Sequence, residues 1–398
     1  MSVATFPPPR LTVGPIGWLR QNLFSSLPSS LLTGLIAGLI LSFAIGITEW
    51  AVTEARWAVV TANLRLFLVG QYPVDQAWRI WLSLAILSAL TGLSAGVFGR
   101  TTRALAIALS VCQALLAALM AVSPVGPLIT VAFLFNAAGV WLGFVLGMRR
   151  LVPRRALVIA WLLSIPVTFI LLSGISDGPP IPSVGSNLWG GLLLTILLAA
   201  VGIVLSFPLG VLLALGRRSS LPAVRILSTG YIELIRGVPL VTILFMADIM
   251  LPLFLPGEWR LDRVARAMGG ITLFSAAYVA ENVRGGLQAI PTGQVEAAQA
   301  IGLSTAQTNI FIVLPQALRS VIPANVGLFI SLIKDTTLVV IVGLLELLGI
   351  GRAILAQPES LGAQLEVYVF IAAVFFVLCY AMSRASYRLE AALGVGQR

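Results

Sequence analysis

The stretch LFISLIKDTTLVVIVGLL, residues 328–345, sets Lys334 and Asp335 side by side in an otherwise apolar run. Lys334 is the only lysine in the chain; every other basic residue is arginine. A charge deep in a membrane helix costs at least about 2.5–3.5 kcal/mol unless it is paired or faces water. Adjacent helical positions point about 100° apart, so Lys334 and Asp335 need not satisfy each other. Glu281 stands in a second apolar stretch, and Glu233, Asp248 and Glu346 lie within or beside others. Two readings of this set stay open: a polar path through the apolar phase, or a salt-bridge network that only holds helices together.

What is missing narrows the chemistry. The chain has no histidine, which removes histidine metal sites, Ser-His-Asp triads and histidine proton relays. A P-loop needs G-x-x-x-x-G-K-[ST]. The lone Lys334 follows FISLI, without a glycine cradle. We therefore expect no catalytic residue, no metal site and no resident cofactor. Cys112 and Cys379 sit far apart in apolar segments and read as small buried hydrophobes.

The elements that carry these residues follow from composition. Of the 398 residues, 59% are hydrophobic and 10% charged, against about 25% charged in a soluble domain. This predicts an all-α, polytopic membrane protein. Apolar runs at roughly 31–50, 78–98, 104–122, 127–147, 156–175, 188–215, 238–256, 267–285, 322–345 and 364–382 predict about ten transmembrane helices. The third and fourth runs, split by SPVGP, read as a hairpin. The net charge of +10 invites a nucleic-acid reading, but the arginines sit between apolar runs, not on one face. They mark orientation instead. With the N-terminus inside, 17 basic residues fall on the cytoplasmic side and seven, including Arg79 and Arg352, outside. Both termini are then cytoplasmic. No cleavable signal peptide is expected, because Pro7–Pro9 and Arg20 precede the first long apolar run.

SGISDGPPIPSVGSN, residues 173–187, cannot be helical and divides five runs from five. The expected organisation is a membrane extension over 1–175, a linker over 176–187, a second membrane domain over 188–388 and a tail over 389–398. Within the second domain, residues 285–323 form the longest polar interruption. QVEAAQAIGL predicts a short helix ended by Gly302, and STAQTNIFIVL a second one, capped by Ser304 and stopped at Pro315. A structured loop without catalytic groups reads as a docking surface; an ordinary amphipathic loop is the alternative.

Glu296-Ala297-Ala298, Gly302, Ile312, Leu314 and Pro315 reproduce EAA, three residues, G, nine residues, I-x-L-P. This resembles the EAA loop of bacterial ABC importer permeases. GYIELIRGVPL, AAYVAENVRGGLQAIPTGQ and LRSVIPANVGLFISLIKDTTL resemble the polar amino-acid branch, whose RGxPL, AExxRGG and KDTSL motifs they carry, with Thr337 in place of serine. The resemblance covers about 188–388, and IGWLRQNLFSS is similar to the extended general L-amino-acid permeases.

The resemblance implies a type I importer core in the last five spans and a coupling loop at 291–316 that inserts into a separate ATPase. That ATPase would bind ATP and Mg. The other implied partners are a second, related permease, a periplasmic amino-acid-binding protein and the bilayer, at the bacterial inner membrane. An amino acid presents an ammonium and a carboxylate, so a broad site would grip those two groups. Glu281, Lys334, Asp335 and Thr336 are the pathway residues on this reading; Arg236, Gly237, Arg284 and Gly285 are interfacial or structural. An ion-coupled secondary transporter is the alternative, and an intramembrane enzyme the remote one.

Overall fold

The computed structural model describes residues 14–121, 126–149, 151–176, 178, 180–254, 256 and 261–394. The Pro7–Pro9 run, Arg10, the SPV of the predicted hairpin turn, Arg150, Asp177, Glu258, Arg260 and Arg398 lie outside the described residues. The chain forms two units, 1–57 and 58–398, and the expected linker at 176–187 lies inside the second.

The first unit holds α1 (Pro15–Asn22) and α2 (Leu27–Glu49), which a wider π turn extends over Trp50–Glu54. Ser26 opens α2 with a capping box: its hydroxyl accepts the Ser29 N–H, and the Ser29 hydroxyl accepts the Ser26 N–H. No residue of α2 is buried within the chain.

The second unit begins with short helices α3 (Ala58–Ala62) and α4 (Leu64–Val69). Four long helices follow: α5 (Trp78–Phe98), α6 (Arg100–Ala121), α7 (Gly126–Met148) and α8 (Arg154–Ser173). Small residues let α5 and α7 touch backbone to backbone. A Cβ on Gly143 would stand 2.5 Å from the Ala89 carbonyl oxygen, and one on Gly147 2.5 Å from that of Leu93. Membrane helices associate through such close approach and through polar bridges. Here Gln113 of α6 donates to Ser88 at 2.8 Å, and the Trp161 indole of α8 to Ser94 at 2.9 Å. Arg79, expected in an outer loop, is instead fully buried in the first turn of α5.

The stretch expected to be non-helical, 173–187, starts on the last residue of α8 and ends in a 3-10 turn at Ser186–Leu188; between them Ser183 N–H donates to Ser176 and Val184 N–H to Ser173. Then come α9 (Gly191–Arg217), α10 (Pro222–Arg236), α11 (Leu240–Phe245), a π turn over Met246–Met250, and α12 (Leu251–Phe254). Helix α13 (Arg263–Gln288) is the centre of this half. It packs along α9, where a Cβ on Gly210 would lie 2.5 Å from Val279 Cγ1. The remainder is α14 (Thr292–Ala300), α15 (Thr305–Thr308), α16 (Leu314–Ser320), α17 (Ile322–Asp335), α18 (Leu347–Leu355) and α19 (Gln364–Leu393).

Among the described residues each predicted apolar run falls mainly on helix, and the protein is an all-α membrane protein. Among the described residues seven helices are long and apolar enough to cross a bilayer unaided. An eighth span is the pair of helical stretches 222–236 and 240–254, bent by 107°. The runs on α6 and α13 fall short of that measure. Helix α6 opens with Arg100 and Arg103, and α13 is rich in Gly, Ala and Ser with charges near both ends. A helix enclosed by other helices has less need of lipophilic side chains than one facing lipid.

Candidate functional site

The EAA segment leaves α13 after Gln288 and returns to the bundle at α17. Pro291 starts α14, where its fixed φ and missing N–H suit a helix entry. Ala298 is buried, while Glu296 and Ala297 are exposed. Gly302 follows the last turn with φ +85°, a left-handed conformation that side chains of L-residues rarely adopt. Its N–H donates to Gln299, and the Leu303 N–H to Ala298. Ser304 then caps the next helix reciprocally with Gln307, at 3.3 and 2.9 Å. These features match the predicted helix–turn–helix. Pro315 differs: the second helix does not stop there. It runs through a π turn at Asn309–Val313 into α16, with Pro315 in the first turn. Pro315 thus lies within a continuous winding, just after the wider π turn where the hydrogen-bond pattern changes. Ile312 and Leu314 are half-buried, and Pro315 is exposed. Three apolar side chains crown the segment in full exposure: Ile301 at 76%, Ile310 at 57% and Phe311 at 65%.

Glu281 is the hub of a charge cluster. Its Oε2 faces Arg217 Nη1 of α9 at 3.5 Å and Arg236 Nη1 of α10 at 3.4 Å. Its Oε1 accepts from Arg284 Nε at 3.0 Å and also from Arg284 Nη2. Arg217 reaches Glu233 as well, at 2.9 Å, and Arg236 lies over the Tyr278 ring. Glu233 and Arg236, three residues apart on α10, thus each pair across helices. Gly237 caps α10 with its N–H, and Gly285 is exposed beside open space. At the other end of α13, Asp248 pairs with Arg263 at 3.5 Å and Arg266 at 3.1 Å.

Lys334 and Asp335 lie apart from the Glu281 hub, whose ion-pair partners among the described residues are arginines alone. They mark a change of winding: α17 ends at Asp335, and a tighter 3-10 helix runs over Thr336–Val342. Thr336 and Thr337 hydroxyls back-bond to Ile333 and Lys334 at 2.6 and 2.7 Å. Lys334 is exposed, Asp335 half-buried and Thr336 fully buried. The 3-10 stretch is the tightened end of this span, closed by Gly343 at φ +74°. Sequence reasoning missed Arg217 and the pair Asn282–Asn325, joined at 3.1 Å between α13 and α17. An asparagine inside the apolar run of α17 was the available signal.

Residues 206–393 match the family described as binding-protein-dependent transport system inner membrane component. The inner membrane amino-acid ABC transporter permease protein YhdY of Escherichia coli strain K12 is 37% identical, over 96% of this chain and 93% of its own. The glutamate/glutamine/aspartate/asparagine transport system permease protein BztC of Rhodobacter capsulatus is 38% identical, over 98% and 96%. The shorter probable glutamine ABC transporter permease protein GlnP of Bacillus subtilis is 37% identical and matches 51% of this chain but 92% of its own. Among solved structures, the crystal structure of an amino acid ABC transporter with histidines is 29% identical over 50% of this chain and 91% of its own, with a TM-score of 0.46.

Proposed function

This chain belongs to the inner membrane components of binding-protein-dependent transport systems, and from that premise we propose how its parts share the work. It is a permease subunit of an ABC importer for amino acids, a multi-pass protein of the inner membrane. Family membership, not any one side chain, sets aside the ion-coupled alternative.

In our reading the EAA segment is the coupling element. It docks on a separate ATPase, which binds ATP and Mg, while this chain has no ATP site of its own. The observation that carries the reading is the exposed trio Ile301, Ile310 and Phe311 on a rigidly capped turn. Apolar side chains held out from a bundle on such a turn suit a protein groove. Glu296, Ala297, Ala298, Gly302, Ile312, Leu314 and Pro315 form and orient that element. A second, related permease completes the gate, and a periplasmic binding protein delivers the amino acid. Both termini are cytoplasmic, on the arginine distribution.

The lengths over which relatives align support the domain division. GlnP-type relatives align with half of this chain, whereas YhdY and BztC align along nearly all of it. Residues 188–388 are then the transport core, and 1–175 an extension shared with the long permeases, joined by 176–187 and followed by the 389–398 tail. Asp335, Lys334 and Thr336 line the substrate path at the winding change, with Asp335 for the ammonium and Lys334 for the carboxylate. A grip on the two groups common to all amino acids gives a broad range. Glu281, with Arg236, Arg284, Gly237 and Gly285 around it, sits where the path meets the coupling element.

The test is co-purification from native membranes. Phe311→Asp should lose the ATPase while the permease pair stays assembled. Retention of the ATPase at the wild-type ratio would sink the docking reading. Asp335→Asn in an intact complex should lower uptake without changing ATPase recovery; unchanged uptake and range would remove Asp335 from the path.

A further inference from the structure

The coupling segment hangs from two points, the end of α13 and the start of α17. A pull on its tip moves the spans only if those two points move together. Otherwise the segment flexes and the stroke is lost. The two points are tied in three ways. Asn282 Nδ2 donates to Asn325 Oδ1 at 3.1 Å across the base of the segment. One turn further along α13, Gly286 lies directly against α16: a Cβ there would stand 2.8 Å from the Ala317 carbonyl oxygen and would overlap the Val321 side chain. Val283, Leu287, Ala317 and Val321 close an apolar cluster around this contact.

The apolar contacts explain cohesion. The amides do not. Asn325 is 3% exposed, and its Nδ2 has no hydrogen-bond partner among the described residues. Burying an idle donor works against stability, and replacing both members of a buried polar pair with apolar groups of similar shape is nearly neutral or stabilising. What the amide pair adds is direction. A hydrogen bond fixes the register of α13 on α17, whereas apolar side chains allow sliding.

We propose that Asn282 and Asn325 are positioning residues for transport: their bond locks the two roots of the coupling segment in register, so the segment drives α13 and α17 as one body. The pair sets how much ATP is spent per amino acid moved. This rests on the docking reading of the segment.

The experiment uses the complex co-purified with its ATPase and reconstituted in proteoliposomes. Its readout is ATP hydrolysed per amino acid imported. Asn282→Leu with Asn325→Leu should assemble and melt as wild type, yet raise that ratio roughly threefold or more. An unchanged ratio in an assembled double variant overturns the proposal. A loss of assembly would mean that the pair holds the fold rather than the register, and overturns it as well.

A second variant keeps the question answerable. With Cys112 and Cys379 replaced by alanine, Asn282→Cys with Asn325→Cys is oxidised to join the roots covalently. Import at the rate of the reduced form supports roots that travel together. Import that is lost on oxidation and restored by dithiothreitol overturns it. Failure of the docking reading looks different, because the ATPase would then be absent from the purified complex before any ratio is measured.

Discussion

Helix α13 holds a carboxylate–arginine assembly near each end, and the two are built differently. Near its start, Asp248 on the π turn meets Arg263 and Arg266 from the first turn of α13. The Asp248 and Arg266 side chains are each only 13% exposed. Two neighbouring segments are clamped, and little water enters. Near its end, Glu281 on α13 gathers Arg217 from α9, Arg236 from α10 and Arg284 from its own helix. Those side chains are 23–34% exposed, and the interhelical distances are 3.4–3.5 Å. An enclosed pair has paid its desolvation and fails badly when one member is removed. A wet, shared hub is worth less and can exchange partners. Their build suits the first assembly to stability and the second to motion, at the end where α13 leads into the EAA segment.

Four measurements test that contrast. Asp248→Ala strands Arg266 in an enclosed site, and the assembled complex should lose about 3 kcal/mol of stability, read by thermal unfolding. The retained bond from Arg266 to the Asp248 backbone carbonyl keeps the loss at the low end of the range for buried pairs. Glu281→Gln should leave the melting temperature within a few degrees but cut uptake about tenfold, the size of an ordinary coupling energy. If both variants melted alike, the contrast would fall.

Glu346 supplies a carboxylate without a paired arginine. It is fully buried and caps α18, accepting the N–H groups of Leu348 and Gly349 at 2.9 and 2.8 Å. Burial pushes its carboxyl above the usual range, against the backbone bonds and Arg352. A raised folded-state value means that its contribution is fully present below the unfolded value and is lost as pH rises through the folded one. The wild-type complex should therefore melt lower as pH rises from the ordinary glutamate value upward, and Glu346→Gln should flatten that slope. The smallest effect belongs to Glu233→Gln. Its side chain is 56% exposed on the rim of the hub, so the loss should stay below about 1 kcal/mol and shrink further in high salt.

Local signals made part of this architecture readable from the chain alone. Hydropathy located most of the long helices because lipid admits little else over twenty residues, but it passed over α10, the first half of the bent pair. Gly302 and Ser304 were legible because each answers a need of its own backbone. Pro315 misled, since a proline ordinarily ends a regular helix, and nothing in its neighbours announced the π turn ahead of it through which the winding continues. The partners of Glu281 were out of reach for another reason. Arg217 is 64 residues away from Glu281, and Arg236 reaches Glu281 only once α10 is packed against α13. Lys334 and Asp335 were visible as an oddity, but nothing in their neighbours announced that the helix tightens at Thr336. The glycine contacts of α5 with α7 needed both helices in place before their spacing meant anything.

Gly302 invites one more thought. Its φ is +85°, yet a Cβ built there would meet nothing within 4 Å. The position has room for a side chain and objects only to its handedness. A mirror-image residue, D-alanine placed by chemical ligation, should settle there without strain, whereas its L-form must bend the turn. The turn at Gly302 is thus specified by chirality, and within this chain the size of a side chain there meets no obstacle.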